Sequence, residues 1–441
     1  MAVTDGLNIT LTDKSGRYEL LSNNAAEFVY ISTPAGHTIP HDKGIAKFYT
    51  PISDKKGTFT SDFNLEKLEV NDNKHNFVVW ADTQMISESD AAELKATAAP
   101  DLKALVNSYP TGSLFHGIGC GDLVWDKFNL FKDYKEAIEM TGVPFYNVIG
   151  NHDMDLDART DDNSAKTYKQ QFGPTYYSFN RGKIHYVVLD DVFFIGTAKK
   201  YIGYLTENQL QWLEQDLANV NTGSTVVVSL HIPTNTGAAR RSKAEESMGG
   251  VVSNRKQLYK LLAPYKVHIM SGHTHFNEKW EEENIIEHNH GTVCGAWWTG
   301  PVCSDGTPGG YGVYEVNGND IKWYYKSTGK PKEHQLRIYK KGSSATNADE
   351  VVVNVWNWDK KWKVEWMEDN VAKGVMEQRI ALDPWAVELY AGPDLPAKHK
   401  FVDPTLADHL FFARPTAGAK TITVKATDRF SNIYTETMAL S

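Results

Sequence analysis

The stretch FVVWADTQMIS, residues 77–87, sets the interpretation of the whole chain. Its first half is an apolar run rich in β-branched and aromatic residues, which is typical of a strand buried on both faces. The run ends in Asp82 and Gln84. Two residues at this spacing on a strand point to the same side, and a carboxylate at a buried strand end needs a cation. The stretch therefore predicts a ligand site at the end of a buried strand.

Length and composition limit the class of protein. A chain of 441 residues exceeds one comfortable core, so two or three domains are expected. The formal net charge of -9 argues against binding to a nucleic-acid backbone, which would require a basic face. No apolar run approaches the ~18 residues of a transmembrane helix. These values describe a globular protein and do not indicate an oligomeric state.

The compartment is predicted from weaker signals. The first residues, MAVTDGLNIT, show no secretory signal segment, yet they already resemble the middle of a strand, as in a mature or trimmed chain. An extracytoplasmic location, periplasmic or secreted, is therefore favoured over a cytoplasmic one. Cys294 and Cys303 could form a disulfide bridge there or remain two buried thiols. Cys120 lies in an apolar strand end and is expected to serve packing.

The texture of the chain changes twice and predicts three domains. Residues 1–71 carry short alternating runs separated by Gly, Asp, Asn and Pro, which predicts a β-sandwich without a helix. Residues 72–329 alternate strands with amphipathic helices, which predicts helices packed against a sheet. Residues 330–441 again carry strand patterns and no helix, which predicts a second β-sandwich. Four tryptophans with strand-like alternation are expected in its core: Trp356, Trp358, Trp362 and Trp366.

Five predicted strands of the middle domain end in potential metal ligands. The motifs are ADTQ (81–84), GDLVWD (121–126), GNHD (150–153), LHIP (230–233) and SGHTH (271–275). Ligands collect outside the carboxyl ends of strands in open α/β sheets, so we expect these side chains to converge. Each motif alone has a structural explanation, because Asp at a strand end is commonly a turn residue or helix cap. The ordered set of oxygen and imidazole donors favours two ions of Mn, Fe, Zn or Mg that share a carboxylate.

This order of motifs resembles the calcineurin-like metallophosphoesterase superfamily over residues 72–329. The flanking regions resemble the sandwich domains of bacterial, mainly Bacteroidetes-type, members. The resemblance implies an α/β fold, namely a four-layer metallophosphoesterase β-sandwich flanked by helices, with small all-β sandwich domains at both ends. It also implies two divalent or trivalent metal ions bridged by Asp122. The other implied ligands are Asp82, Gln84 and His275 for the first ion and Asn151, His231 and His273 for the second.

The resemblance further implies a catalytic role for His152, which would face the phosphoryl group as an acid or hydrogen-bond donor. Asp126 is the acid that could orient it. Two departures from the family pattern stand out. Gln84 replaces the His of most members, and Trp125 occupies the position where many members have Asp and purple acid phosphatases have a metal-binding Tyr. Because Trp has no lone pair to give, an Fe–Tyr chromophore is not expected.

The implied function is hydrolysis of a phosphate mono- or diester by in-line attack of a metal-bridging hydroxide. A donor His would stabilise the charge that grows on the phosphoryl and leaving oxygens. The alternative is a binding or scaffold protein in which this domain is catalytically inactive and the sandwich domains bind a glycan or a partner. The complete donor set favours the enzyme.

Other residues are candidates for substrate contact. Arg240 and Arg241 lie in the loop after the fourth motif and could hold a phosphate or carboxylate, or belong to a solvated charge run. Four rings after the last motif could wall the cleft or serve as core: His288, His290, Trp297 and Trp298.

Overall fold

The computed structural model describes residues 1–55, 57–196 and 200–440. Within these ranges the chain is an α/β protein with several sheets and few helices. Among the described helices, none combines the length and the apolar character needed to cross a membrane.

The N-terminal region is all-β, as its alternating pattern predicts. Four of its strands form a small sheet in the order β2-β1-β3-β6, while β4 and β5 extend the edge of a sheet in the middle region. The six strands are β1 (Ala2–Thr4), β2 (Ile9–Leu11), β3 (Phe28–Ile31), β4 (His41–Asp42), β5 (Ile45–Ala46) and β6 (Tyr49–Pro51).

The middle region holds two large sheets and most of the helices. Its strands are β7 (Lys74–Trp80), β8 (Phe115–Cys120), β9 (Phe145–Val148), β10 (Tyr177–Arg181), β11 (Ile184–Val188), β12 (Val192–Phe194), β13 (Tyr201–Gly203), β14 (Thr225–Ser229), β15 (Lys266–Ser271), β16 (Glu278–Glu282), β17 (Ile285–Asn289), β18 (Gly310–Asn317) and β19 (Asp320–Ser327). Its helices are α1 (Glu88–Ala96), α2 (Ala98–Ser108), α3 (Phe131–Thr141), α4 (Asp161–Ser164), α5 (Lys166–Phe172), α6 (Glu207–Leu217), α7 (Ala238–Ser242) and α8 (Arg255–Leu262).

The two large sheets pack face to face and form a four-layer sandwich. One has the order β19-β18-β7-β8-β9-β5-β4 and the other β10-β11-β14-β15-β17-β16. Alternate residues of β7 serve two cores, because successive side chains of a strand point to opposite faces. Phe77 and Val79 join the core between the sheets, whereas Val78 and Trp80 join the core beneath α1 to α3. Helices α6 and α8 cover the outer face of the second sheet.

The C-terminal region is a β-sandwich of two four-stranded sheets, in the orders β20-β21-β25-β24 and β23-β22-β26-β27. Its apolar core lies between them. The strands are β20 (Arg337–Tyr339), β21 (Val351–Asn354), β22 (Lys363–Glu368), β23 (Val371–Val375), β24 (Glu377–Ala381), β25 (Ala407–Ala413), β26 (Thr421–Thr427) and β27 (Ile433–Ala439).

The stretch SESDAAELKATAAPDLKALV, residues 87–106, has the pattern of a single helix, but the structure divides it into two helices that meet at Thr97. The C-terminal region contains a helix, α9 (Pro384–Ala391), which the strand-rich texture hid. Asp383 caps it by accepting hydrogen bonds from two backbone N–H groups, and a proline at the first helical position is a recognised start signal.

The tryptophans of the C-terminal region are packed, but only Trp366 lies in a strand. Trp356 and Trp362 lie in the turns between β21 and β22 and are buried. Their sequence spacing therefore reflected burial in a turn and not the alternation of a strand.

Phe48 ties the N-terminal region to the middle sandwich. It is 2% exposed and lies in the core between the two large sheets. Its ring centroid is 4.3 Å from that of Tyr177 and 5.7 Å from that of Tyr146.

We expect Phe48→Ala to lower the free energy of unfolding by about 3–5 kcal/mol, because the change removes a buried ring and leaves a cavity. Urea denaturation would measure it. Leu21→Ala is the control, since Leu21 is 92% exposed. An unchanged main unfolding transition in Phe48→Ala would show that the N-terminal region does not support the sandwich.

Candidate metal centre

The first loop leaves the end of β7 in an unusual backbone conformation. The strand ends at Trp80, and Asp82 and Gln84 have φ angles of 50° and 38°. The interpretation that these two residues continue the alternation of a strand was therefore wrong; a left-handed turn, and not strand periodicity, directs their side chains inward. Both are buried, at 0% and 3% exposure. Thr83 fixes the turn between them by donating its hydroxyl to the Leu123 carbonyl at 2.7 Å.

Asp122 is the central carboxylate of the cluster. It is 1% exposed and accepts hydrogen bonds at 2.8 Å from the backbone N–H of His152 and from the side-chain Nε2 of Gln84. Its Oδ1 lies 3.4 Å from Nε2 of His231. Asp122 thus contacts side chains from both predicted ligand groups.

The predicted second ligand group comes together around His231. Its Nε2 lies 3.2 Å from Oδ1 of Asn151 and 3.2 Å from Nδ1 of His273. The opposite ring nitrogens point to backbone carbonyls, Nδ1 of His231 to Cys120 and Nε2 of His273 to Gly249. A carbonyl only accepts, so each of those nitrogens carries a proton, and the two nitrogens that face each other are the ring positions through which a metal ion could be bound.

The residues of the predicted first ligand group, Asp82, Gln84 and His275, lie next to the second group. Nε2 of His275 lies 3.3 Å from Oδ1 of Asp82. The side-chain oxygen of Gln84 is buried and has no hydrogen-bond partner among the described residues. An orphaned amide oxygen in a buried site is costly, so its presence on a side chain that is hydrogen-bonded to Asp122 favours a bound cation.

The protonation states point to the same need. Burial alone would raise the pKa of Asp122, but the charges of His231 and His152 hold it below its ordinary value. Burial would lower the pKa of His231, and the charge of Asp122 outweighs this and raises it to about 10. Burial and the charge of His231 lower the pKa of His273 to about 4. A proton on His231 thus occupies the place that a metal ion would take among the same atoms.

The spacing of these side chains fits shared ions. Atoms that bind one ion at about 2.0–2.2 Å lie about 3–3.5 Å from each other. The contacts of Asp82 with His275, and of His231 with Asp122, Asn151 and His273, measure 3.2–3.4 Å. Asp122, His231 and His273 also form a group whose potential ligand atoms all lie within 4.8 Å of one another. The residues present therefore fit metal ions.

Glycines allow the loops to approach this closely. A Cβ atom on Gly121 would lie 2.3 Å from Nδ1 of His231, and one on Gly272 would lie 2.5 Å from Oδ2 of Asp82. A Cβ on Gly150 would lie 2.1 Å from the backbone nitrogen of Asp122. These distances exclude any side chain, which explains the glycine that precedes three of the motifs.

Buried carboxylates brace the loops, and the sequence interpretation assigned them no role. Asp153 accepts backbone N–H groups from Leu123, Val124 and Gly150 at 2.9–3.1 Å. Asp191 accepts the backbone N–H of His231 at 3.1 Å. Asp153 is the last residue of GNHD, so the motif marks it as a candidate functional residue. Its hydrogen-bond partners could not be predicted, because they depend on how two loops fold against each other.

His152 and Asp126 form the contact that the sequence left open. Nδ1 of His152 lies 2.9 Å from Oδ1 of Asp126. Burial would lower the pKa of His152, but the charges of Asp122 and Asp126 and this hydrogen bond raise it. Asp126 therefore contacts the ring of His152 from a position one residue later than the position of Asp in the family pattern.

The two candidate arginines have partners outside the cluster. Arg241 is 9% exposed and its Nη1 lies 2.5 Å from Oε2 of buried Glu278. The guanidinium of Arg240 lies 4.3 Å from the ring centroid of Trp280. An ion pair thus holds Arg241 and a cation–π contact holds the exposed Arg240, and among the described residues neither contacts a predicted metal ligand.

The other candidates divide into core and cleft residues. His288 and His290 are 1% and 2% exposed and lie in the core, where His290 contacts the Ser271 carbonyl at 2.9 Å. Trp298 is also buried and donates Nε1 to the Thr83 carbonyl at 2.8 Å. Trp297 is half-buried, with its ring centroid 4.3 Å from that of His275. The three cysteines are free, buried thiols.

Comparisons with known proteins agree with these features. Residues 1–68 match the model of the N terminal of Calcineurin-like phosphoesterase, residues 100–277 that of Calcineurin-like phosphoesterase, and residues 287–434 that of the C terminal of Calcineurin-like phosphoesterase. Purple acid phosphatase 15 of Arabidopsis thaliana is 29% identical over 169 residues, which cover 35% of this chain and 28% of that relative.

Solved structures show weaker similarity to this chain, and two phosphatases are among them. A dimetal phosphatase from Danio rerio is 13% identical, with a TM-score of 0.41 over 58% of this chain and 97% of its own. A purple acid phosphatase from yellow lupin (Lupinus luteus) seeds is 15% identical, with a TM-score of 0.41 over 58% of this chain and 51% of its own. The three family models together match most of the described residues, in the order in which the family has them. The chain therefore belongs to the calcineurin-like metallophosphoesterases.

Proposed function

We propose that the protein is a phosphoric ester hydrolase that uses two metal ions. The observation that supports this most is the convergence of all seven predicted ligands in one buried cluster with the His152–Asp126 pair beside it. A domain kept only as a scaffold would have no need to retain a donor that is not a ligand. The scaffold alternative therefore has no feature of the site in its favour.

The ligand groups proposed from the sequence carry over. Asp122 would bridge the ions, with Asp82, Gln84 and His275 around one and Asn151, His231 and His273 around the other. When bound, the two cations would supply an activated water at neutral pH and positive charge for the phosphate oxygens. Backbone carbonyls would hold the ring orientations of His231 and His273, since they fix which nitrogen of each is free to bind.

His152 is the proposed proton or hydrogen-bond donor. Its Nδ1 is occupied by Asp126, so Nε2 is the atom left to donate to a phosphate or leaving oxygen when the ring is protonated. Bound cations would offset the charge of Asp122, but the hydrogen bond to Asp126 would remain and would continue to favour the imidazolium. The 23% exposure of the His152 side chain gives a substrate access to this atom.

The proposed function is tested by metal reconstitution. We expect the protein to bind about two ions per chain and, with them, to release alcohol or phosphate from members of a panel of phosphate mono- and diesters. Removal of the ions by a chelator should abolish the activity, and their return should restore it. A protein that binds no ion, or that binds two and hydrolyses no ester of the panel, would instead support the scaffold alternative.

His152→Ala is expected to lower kcat by about 10²–10⁴-fold while metal content stays at the wild-type value, because the side chain serves the reaction and not the ions. The rate of the wild-type enzyme should fall as pH rises through the raised pKa of His152, since the donor is then lost, and the variant should lack this dependence. Asp126→Asn keeps the side-chain shape but removes a charge that raises the pKa of His152. In this variant the fall in rate with rising pH should therefore occur at lower pH. Loss of metal in His152→Ala would identify the residue as a ligand.

Gln84→Ala is expected to weaken one ion preferentially, because the change removes a proposed oxygen ligand and the hydrogen bond to Asp122. Gln84→His should tighten that ion and favour Zn or Fe, since imidazole is a softer donor than an amide oxygen. Metal titration of the three proteins would measure both effects. If Gln84→Ala keeps both ions at wild-type affinity, the role of Gln84 is limited to holding the carboxylate of Asp122.

A further inference from the structure

Four rings form a patch beside the metal cluster that the proposed chemistry does not use. They are called the aromatic wall here and consist of Trp125, Trp297, His399 and Phe401. The centroid of Trp125 lies 6.1 Å from that of Trp297, 5.9 Å from that of Phe401 and 5.2 Å from that of His399, with which it is stacked. Trp297 and Phe401 lie 5.3 Å apart. These separations are those of directly packed aromatic rings.

The aromatic wall begins at the two proposed functional groups. The ring of Trp297 lies 4.3 Å from His275, a proposed metal ligand, and the ring of Trp125 lies 5.4 Å from His152, the proposed donor. A phosphate held at the ions would therefore place the group attached to its leaving oxygen next to the wall. This continuity distinguishes the patch from an apolar surface elsewhere on the protein.

Half of the aromatic wall comes from a distant part of the sequence. His399 and Phe401 belong to the segment between α9 and β25. Lys398 fixes the start of this stretch, with its Nζ 2.6 Å from Oδ1 of Asp90 and its carbonyl accepting the Thr299 hydroxyl at 2.9 Å. Val402 fixes the other side, because it is 4% exposed and lies in an apolar cluster.

Phe401 itself remains 56% exposed between these two fixed points. An anchored backbone that presents a large apolar ring to solvent next to a polar site is typical of a binding surface. The backbone of the aromatic wall is also constrained, since Trp297 and His399 have φ angles of 49° and 57°, a region that bulky residues rarely adopt. The rings are thus held in place by their surroundings.

The aromatic character of the wall indicates what kind of chemical group it can bind. Its members are all aromatic rings, and burial lowers the pKa of His399, which disfavours a charge on this ring. Aromatic faces bind flat rings by stacking and edge-to-face contact, and they offer no pairing for a phosphate or a carboxylate. A further planar ring is therefore the complementary occupant.

We propose that the aromatic wall binds the leaving group of the phosphate ester and that the preferred substrates carry a planar aromatic ring there. The inference rests on the proposed phosphoesterase function, and it names the substrate class of that same site. Phe401 is a specificity-determining residue in this proposal, because it is the exposed member of the wall and is not in contact with a proposed metal ligand.

The test compares esters that share a reacting group. Benzyl phosphate and cyclohexylmethyl phosphate have alcohol leaving groups of similar size and acidity, and only the first is planar; ethyl phosphate lacks the ring. We expect kcat/KM to be highest for benzyl phosphate. Phe401→Ala should lower kcat/KM for benzyl phosphate by about 3- to 10-fold, because KM rises. The kcat/KM for ethyl phosphate should stay at the wild-type value. Phe401→Trp should restore the preference.

Controls separate the aromatic wall from the metal cluster. Leu395→Ala removes an apolar side chain of the same segment that is 42% exposed. This variant should keep the wild-type kcat/KM for all three esters. Metal content and inhibition by inorganic phosphate should be unchanged in Phe401→Ala. Equal losses for benzyl and ethyl phosphate, or equal kcat/KM for benzyl and cyclohexylmethyl phosphate in the wild type, would overturn the proposal.

Binding of phosphonates keeps the test independent of turnover. Benzylphosphonate is expected to bind the metal-loaded protein more tightly than cyclohexylmethylphosphonate or ethylphosphonate and to quench tryptophan fluorescence, with both effects reduced in Phe401→Ala. If no ester of the mono- and diester panel is hydrolysed but this preference is seen, the proposed function fails and the aromatic wall remains a site for planar ligands. Equal affinity for benzylphosphonate and cyclohexylmethylphosphonate would refute the proposal that the aromatic wall prefers planar ligands, whether or not the protein hydrolyses an ester.

Discussion

The charge of two buried carboxylates, Asp82 and Asp122, has to be balanced inside the fold. Both are withdrawn from water, and the side chains that contact them are amide and imidazole groups. An unpaired charge in such a place is costly enough to shift protonation or bind a cation. The charge of Asp122 raises the pKa of His231, which is the direction expected of a site that favours positive charge. Much of the surrounding structure follows from bringing enough donors to these two groups.

Bringing five loops to one point imposes a conformational cost that local packing offsets. Six of the site residues have left-handed backbone angles, namely Asp82, Gln84, Asp122, Asp126, His273 and His275. Such conformations cost about 1–3 kcal/mol each and persist where the surroundings fix them. Here Asp153 and Asp191 hold the loops through backbone hydrogen bonds, and glycines leave room for the approach. These hydrogen bonds and close contacts offset the cost of the left-handed backbone conformations at the site.

The flanking regions take part in this arrangement instead of hanging beside it. Strands β4 and β5 of the N-terminal region extend a sheet of the sandwich, and Phe48 enters its core. The segment after α9 brings Phe401 and His399 to the edge of the candidate metal centre. Trp125, which stands where many family members have Asp, contacts both of these rings. Trp125, at a position where the chain departs from the family pattern, therefore forms one surface with His399 and Phe401 of the C-terminal region.

The class of fold, the order of the motifs and the identity of the proposed ligands could be predicted from the amino-acid sequence alone. Strand and helix periodicity are local, and a family motif is read residue by residue, so neither required three dimensions. The amino-acid sequence did not determine the contact of Asp126 with His152, because the shift of one residue has meaning only once the turn is built. It also misassigned the geometry of Asp82 and Gln84, whose direction comes from positive φ angles, and it missed α9. The aromatic wall exists only in the folded chain, because more than two hundred residues separate Trp125 from Phe401. No local pattern in the sequence links rings that meet through the packing of one region on another.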